Sequence, residues 1–203
     1  MHRGLRLAAV AACALPIVLA GGCADDESTR SVVTVVSINN NMPLQSDIRD
    51  AGEDLLDPTD DSIMDDVVEV TMSNYPHDSA LDLKPGYPFG DVIFTSYKVT
   101  FIAENGNGNA PAGFTGTMYL EVPNAQPKPD GYDPPTAYIL LVPAGLKAAP
   151  PLSDLPDPVN QVYQINCEAR VEFYGEETVS KDLVTATATV MVSFADYVDE
   201  DEG

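Results

Sequence analysis

The stretch that most restricts what this chain can become is Gln161–Tyr197. Tyr163, Ile165, Cys167, Ala169, Val171 and Phe173 alternate with Gln164, Asn166, Glu168, Arg170, Glu172 and Tyr174. Further on, Val184, Ala186, Ala188, Val190, Val192 and Phe194 alternate with Thr185, Thr187, Thr189, Met191 and Ser193. Side chains on a strand point to opposite faces with period two, so each run has one dry face and one wet face. Between them, Gly175 to Asp182 carries a glycine and charges, and reads as a polar turn. Such a hairpin has one apolar face, and that face needs a second sheet to cover it.

Five further runs supply candidate strands. Ser31–Ile38 is β-branched, and Val67–Ser73 sets Val68, Val70 and Met72 on one face. In Val92–Ala103, Ile93, Tyr97, Val99 and Phe101 share a face, with Ser96, Lys98 and Thr100 opposite. Glu104–Asn109 alternates Asn with Gly, a hairpin turn signal because both residues tolerate positive φ. The returning strand is 115–122, with Met118, Leu120 and Val122 together. Ala137–Val142 is apolar on both faces and reads as an interior strand. Prolines punctuate the connections on either side of it. No long helix is predicted. Ser46–Leu56 has room for a helical turn or two, in a stretch from Leu44 to Asp66 that loses periodicity. The expected fold is all-β, a seven-stranded antiparallel sandwich of immunoglobulin or fibronectin-III type, with an up-and-down barrel as the alternative. True immunoglobulin hallmarks are missing. The chain has no Trp and no Cys pair, and Ile165 stands where a tyrosine corner would precede Cys167.

Ahead of the strands lies a targeting segment over 1–22. Arg3 and Arg6 form a positive region, and Leu7–Ala20 is apolar but too short to span a bilayer. Small residues follow and end at a cysteine: Leu19-Ala20-Gly21-Gly22-Cys23. This resembles the lipobox of bacterial lipoproteins, and the resemblance implies that Cys23 is the lipidated first residue of the mature chain. Ala24 rather than Asp follows it, which implies export to the outer membrane. Residues 23–30 then form a polar tether, 31–197 the domain and 198–203 an acidic tail.

Cleavage removes Arg3 and Arg6 and no acid, leaving 8 Lys and Arg against 32 Asp and Glu, a net of −24. Such a chain repels phosphate backbones and anionic headgroups, so nucleic acid is excluded as a partner and the membrane is reached through the lipid. Cys167 stands alone once Cys13 leaves and Cys23 is acylated. No intramolecular disulfide is available, and Cys167 reads as a small buried hydrophobe. His77, Asp78 and Ser79 are adjacent in sequence, which does not make triad geometry.

Glu53, Asp54, Asp57, Asp60, Asp61, Asp65 and Asp66 place seven acids in fourteen positions. Carboxylates this dense must be solvated or bridged by a hard cation. Asp57, Asp60, Asp61, Asp65 and Asp66 are the candidate calcium ligands, although the segment lacks the EF-hand glycine and closing glutamate. The solvated acidic loop is the plainer expectation. The aromatics Tyr75, Tyr87 and Phe89 fall in a long loop, where they either line a ligand site or cover an open end of the sandwich.

Across most of the mature chain, the sequence resembles a group of uncharacterised bacterial lipoproteins with an all-β exported domain. The stretches that carry this are the Cys23 site, Val35–Asn39 followed by Pro43–Asp47, and Glu172–Gly175 with Ser193–Asp196. The resemblance implies an address in the cell envelope and no activity. The expected function is a lipid-anchored, exported binding or structural module with no catalytic constellation, held to the membrane by Cys23 and meeting an envelope or extracellular protein. The alternative is a calcium-stabilised adhesion or assembly module.

Overall fold

Among the described residues, strand alternation is realised as eight strands. They are β1 (Ser31–Ile38), β2 (Leu44–Asp47), β3 (Asp66–Pro76), β4 (Val92–Ala103), β5 (Phe114–Val122), β6 (Thr136–Val142), β7 (Gln164–Glu177) and β8 (Leu183–Ala195). The structure, a computed structural model, describes residues 31–49, 62–76, 90–104, 109–124, 132–155 and 164–197. Three strands form one sheet in the order β1-β3-β6, and five form the other in the order β2-β8-β7-β4-β5. β1 packs beside β8 and β5 beside β6, so the two sheets curl toward each other as a half-barrel. Neighbouring strands are mostly not consecutive in sequence, which an up-and-down barrel would require. The only α-helical turn among the described residues is α1 (Ala144–Lys147). No helix there is long and apolar enough to cross a membrane.

The predicted hairpin is central. β7 pairs antiparallel with β8 from Gln164↔Ala195 to Glu176↔Leu183, and with β4 along its other edge. Cys167, Ala169, Val171 and Phe173 on β7 are fully buried, as are Val192 and Phe194 on β8 or nearly so. Size alternates across the register. Ala169 stands opposite Phe101 of β4, and the Phe101 ring meets Phe194 edge-on at 5.7 Å. The facing sheet contributes Val33, Val68, Val70, Met72, Ile139 and Leu141. Each such aliphatic side chain taken fully out of water contributes about 1.5–3 kcal/mol. Tyr97, opposite Gly116, lies where a Cβ on that glycine would sit 2.3 Å from the ring. Only a glycine leaves the ring room there, and Tyr97 then reaches across to the other sheet, donating to the Leu140 carbonyl at 2.9 Å.

The structure corrects the sequence reading in five places, the first being that β3 runs on to Pro76, so Tyr75, expected in a loop, is a strand residue opposite Val32. β2 is an eighth strand, running parallel to β8 with Leu44 opposite Val192 and Ser46 opposite Phe194. The expected helical turn from Ser46 onward is therefore a strand as far as Asp47. Its inward residue is Ser46 rather than an aliphatic, which hid the alternation. In β4 a bulge at Thr95 resets the faces, so Val92 and Phe94 are buried and Ile93 looks outward. β6 is an edge strand, not an interior one. Only Ile139, Leu141 and Val142 are buried, with β5 running beside the strand, while Tyr138 is 71% exposed on the outer face. Finally, β7 continues to Glu177, so the turn starts later than expected.

A local signature explains how β1 and β2 come to lie in different sheets. Asn39, Asn40 and Asn41 have φ of 49°, 53° and 60°, three successive left-handed residues. Asparagine is the side chain, after glycine, that tolerates this region best. The tight turn it allows, closed by the Met42 N–H donating to the Asn39 carbonyl at 2.9 Å, carries the chain from the edge of one sheet to the edge of the other.

The register can be checked with a lysine pair on β8. Ala186 is buried and Thr187 is exposed. Ala186→Lys is expected to cost roughly 3 kcal/mol or more, by forcing a charge into the core. Thr187→Lys is expected to cost less than about 1 kcal/mol. Urea denaturation of both variants measures the difference. Equal losses would contradict the register described here.

Candidate functional site

Among the described residues, most of the buried polar groups gather in two clusters. In the first, Lys147 at the end of α1 is 2% exposed, and its ammonium donates to Asp66 Oδ1 at 3.0 Å. Asp66 is itself 18% exposed, and its Oδ2 accepts the Ser46 hydroxyl at 2.6 Å. The neighbouring Asp65 accepts the Ala144 N–H at 2.6 Å. These contacts tie α1, the start of β3 and β2 together. A buried ammonium needs such a partner, because desolvating a charge is expensive unless it is paired and hydrogen-bonded.

The second cluster centres on Gly90, just ahead of β4. The Gly90 carbonyl accepts the Asn74 amide at 3.0 Å and the Ser31 hydroxyl at 3.3 Å. Its N–H donates to Glu177 Oε1 at 2.5 Å, and Ser180 donates to the other Glu177 oxygen at 2.9 Å. Asn74 also reaches the Val122 carbonyl at 3.4 Å. A Cβ on Gly90 would sit 2.7 Å from Thr178 Oγ1 and 2.9 Å from the Val179 backbone nitrogen, so this close approach requires glycine. β1, β3, β4, β5 and the β7–β8 turn all meet here. The sequence placed Glu177 in a solvated turn, yet it is fully buried because two donors converge on its carboxylate.

The predicted site residues divide accordingly. Cys23 and the acids Asp57, Asp60 and Asp61 lie outside the described residues, as do His77, Asp78, Ser79, Tyr87 and Phe89. Asp65 and Asp66 are brought together, but each carboxylate is held by protein donors. Among the described residues, no three His, Cys, Asp or Glu side chains cluster as a metal site would need. Cys167 lies in the core with its thiol pushed up to about 11 by burial, the opposite of an activated nucleophile.

One surface feature was missed by the sequence reading. On the outer face of the five-stranded sheet, the β4 bulge opens a groove of about 440 Å³. Its apolar lining residues include Ile93, Tyr174 and Leu183, and Leu183 is 80% exposed. Interleaved with them are Thr95, Ser96, Thr178 and the ion pair Lys181–Glu176, at 3.3 Å. Thr95 stands there because Phe94 pairs with Gly175 and Ser96 with Tyr174, leaving it opposite no residue of β7. A bulge has no composition signal of its own, which is why alternation alone did not locate this groove. No family model, curated protein or solved structure significantly matches the chain.

Two predictions follow from the buried groups. Lys147→Met leaves Asp66 without its cation and is expected to cost about 3 kcal/mol. In the double variant with Asp66→Asn the loss should be smaller than the sum of the single losses, as denaturant titration of the cycle would reveal. Additive losses would mean that the pair does not couple.

The second concerns alkaline pH. Burial raises the pKa of both Cys167 and Tyr97 in the folded state. The folded chain therefore holds protons that the unfolded chain releases, and stability is full below the unfolded values. It should fall as pH rises from about 9 toward 11, the window between the ordinary thiol and the raised one. Melting temperatures across that range, compared with Cys167→Ala, measure the thiol's share. A flat profile in the parent chain would contradict it.

Proposed function

We propose that the chain is a lipid-anchored, exported binding or structural module of the bacterial cell envelope, built on an immunoglobulin or fibronectin-III-like sandwich and without a catalytic role. The observation that carries the address is the run Ala20-Gly21-Gly22-Cys23, which closes the apolar leader. Only Ala24–Arg30 separates it from β1. The fold assignment draws support from strand order. β1-β3-β6 corresponds to strands A, B and E of the immunoglobulin arrangement, and β8-β7-β4-β5 to G, F, C and C′. β2 then joins G as a parallel outer strand. Sandwiches of this kind host many unrelated functions, so the fold supports a module without naming its ligand.

The binding or structural reading is also supported by how the buried polar groups are used. Lys147, Asp66 and Glu177 bond to groups within the domain that fasten its elements together. Cys167 is buried with a raised pKa, which is a packing environment. The calcium-stabilised adhesion or assembly reading rests on Asp57, Asp60 and Asp61, since Asp65 and Asp66 already have protein partners.

The address is tested with Cys23→Ser in the native envelope. The expected outcome is loss of palmitate labelling, with the chain either moving to the soluble fraction or accumulating as uncleaved precursor. Normal processing and unchanged membrane association in the variant would sink the proposal.

A further inference from the structure

We infer that the groove at the β4 bulge is a binding site for a neutral oligosaccharide. The inference deepens the binding-module reading and rests on it, and four observations carry it. The groove has the volume of a small-ligand site, about 440 Å³, and is open enough to admit a chain passing across it. Its lining is mixed in kind. Tyr174, 38% exposed, lies beside Ser96 in the register, Ile93 and the exposed Leu183 flank Glu176, and Thr95, Ser96 and Thr178 add hydroxyls. A pyranose ring has this double character, with C–H faces that lie against an aromatic ring and a rim of hydroxyls that need donors and acceptors.

The third observation is electrostatic. The chain carries a net charge of −22, yet the charged groups lining the groove are Glu176 and Lys181, which neutralise each other at 3.3 Å. An anionic ligand would meet the repulsion of the whole chain without a free cation to receive it. A neutral polyol pays no such penalty, and a carboxylate and an ammonium side by side can accept from and donate to adjacent hydroxyls. The fourth is the backbone. β4 and β7 are interior strands whose ladders are paired with each other and with β5 and β8 at this point. Neither β4 nor β7 has a free edge here, so an extended peptide could not add itself to either of them as a strand. What remains is recognition by side chains, and the side chains here are those of a sugar platform. Leu183 fits the same account, because an aliphatic residue this exposed at the rim of a polar turn contributes nothing to the core but adds apolar surface to the groove.

The test uses the full chain purified in a detergent whose headgroup is not a sugar. Maltotriose, cellotriose and triacetylchitotriose are titrated by saturation-transfer NMR and calorimetry. Plain and N-acetylated arms separate a glucan ligand from a glycan of the wall type. The expected result is saturable one-site binding in at least one arm, weakened about tenfold or more by Tyr174→Ala. Tyr138→Ala, on the exposed face of the other sheet, should leave affinity unchanged. Tyr174 is partly exposed, so its removal spares the fold, and an unchanged melting temperature verifies that. Three results would overturn the inference. They are no saturable binding in any arm, binding that Tyr174→Ala leaves intact, or saturation by a trialanine peptide in place of the sugars. Because the readout is binding and not membrane fractionation, it stands or falls separately from the lipid anchor.

Discussion

The structure depends on one strand, β7, being dry on one face and paired along both edges. Cys167, Ala169, Val171 and Phe173 are fully buried, and β4 and β8 hold the two edges in register. Small residues at 167 and 169 are what allow the aromatic rings of neighbouring strands to occupy the core. Phe101 lies opposite Ala169 and packs on Phe194, while Phe94 meets Phe173 edge-on at 6.4 Å. Enlarging either small side chain would drive those rings from their positions, because interiors packed like crystals have little slack. The thiol of Cys167 is thus explained by its volume, and its raised pKa follows from the same burial.

The ends of the half-barrel are fastened by polar groups, and this constrains the fold differently. Apolar contacts hold the sheets together but do not fix how far one slides over the other. Gly90 and Asn74 do, because their hydrogen bonds require β1, β3, β4, β5 and the β7–β8 turn to arrive together. Lys147 and Asp66 act likewise on α1, β2 and β3. A buried ion pair is weak evidence for added stability, since its desolvation offsets the attraction. Its clearer consequence is that any arrangement separating Lys147 from Asp66 strands a charge in the interior.

Strand positions were legible where one face is apolar. Ser31–Ile38 and Val92–Ala103 were read with the bounds the structure gives them, and the β7–β8 hairpin with the correct inward face. Failures came where a polar residue points inward or the period slips. Ser46 faces in to reach Asp66, so Leu44–Asp47 did not look like a strand. Thr95 shifts the face of Ile93 by one residue, which no alternation count can anticipate. Glu177 resembled a turn charge because one of its donors, Gly90, is distant in sequence and the other, Ser180, is placed only by the turn itself. The acids proposed as calcium ligands were conspicuous by density alone, and density does not distinguish a ligand from the partner of Lys147. Of the candidate groove, the sequence showed neither the bulge that opens it nor the neutrality of its lining.

That neutrality follows from where the few cations sit. Four of the five described basic residues form ion pairs: Lys98 with Glu172, Lys147 with Asp66, Arg170 with Glu168 and Lys181 with Glu176. Three of these pairs lie on the outer face of the five-stranded sheet or its turn, and they are exposed. Exposed pairs contribute about 0–1 kcal/mol each, so stability does not explain spending scarce cations there. Their effect is local. In a chain of net charge −22, each cation cancels an acid on the face that carries the groove. The outer surface of β4 and β7 becomes a patch of balanced charge, while the excess acid is carried elsewhere in the chain. A surface that must approach a neutral or weakly polar partner, against the repulsion of its own molecule, would be arranged in this way.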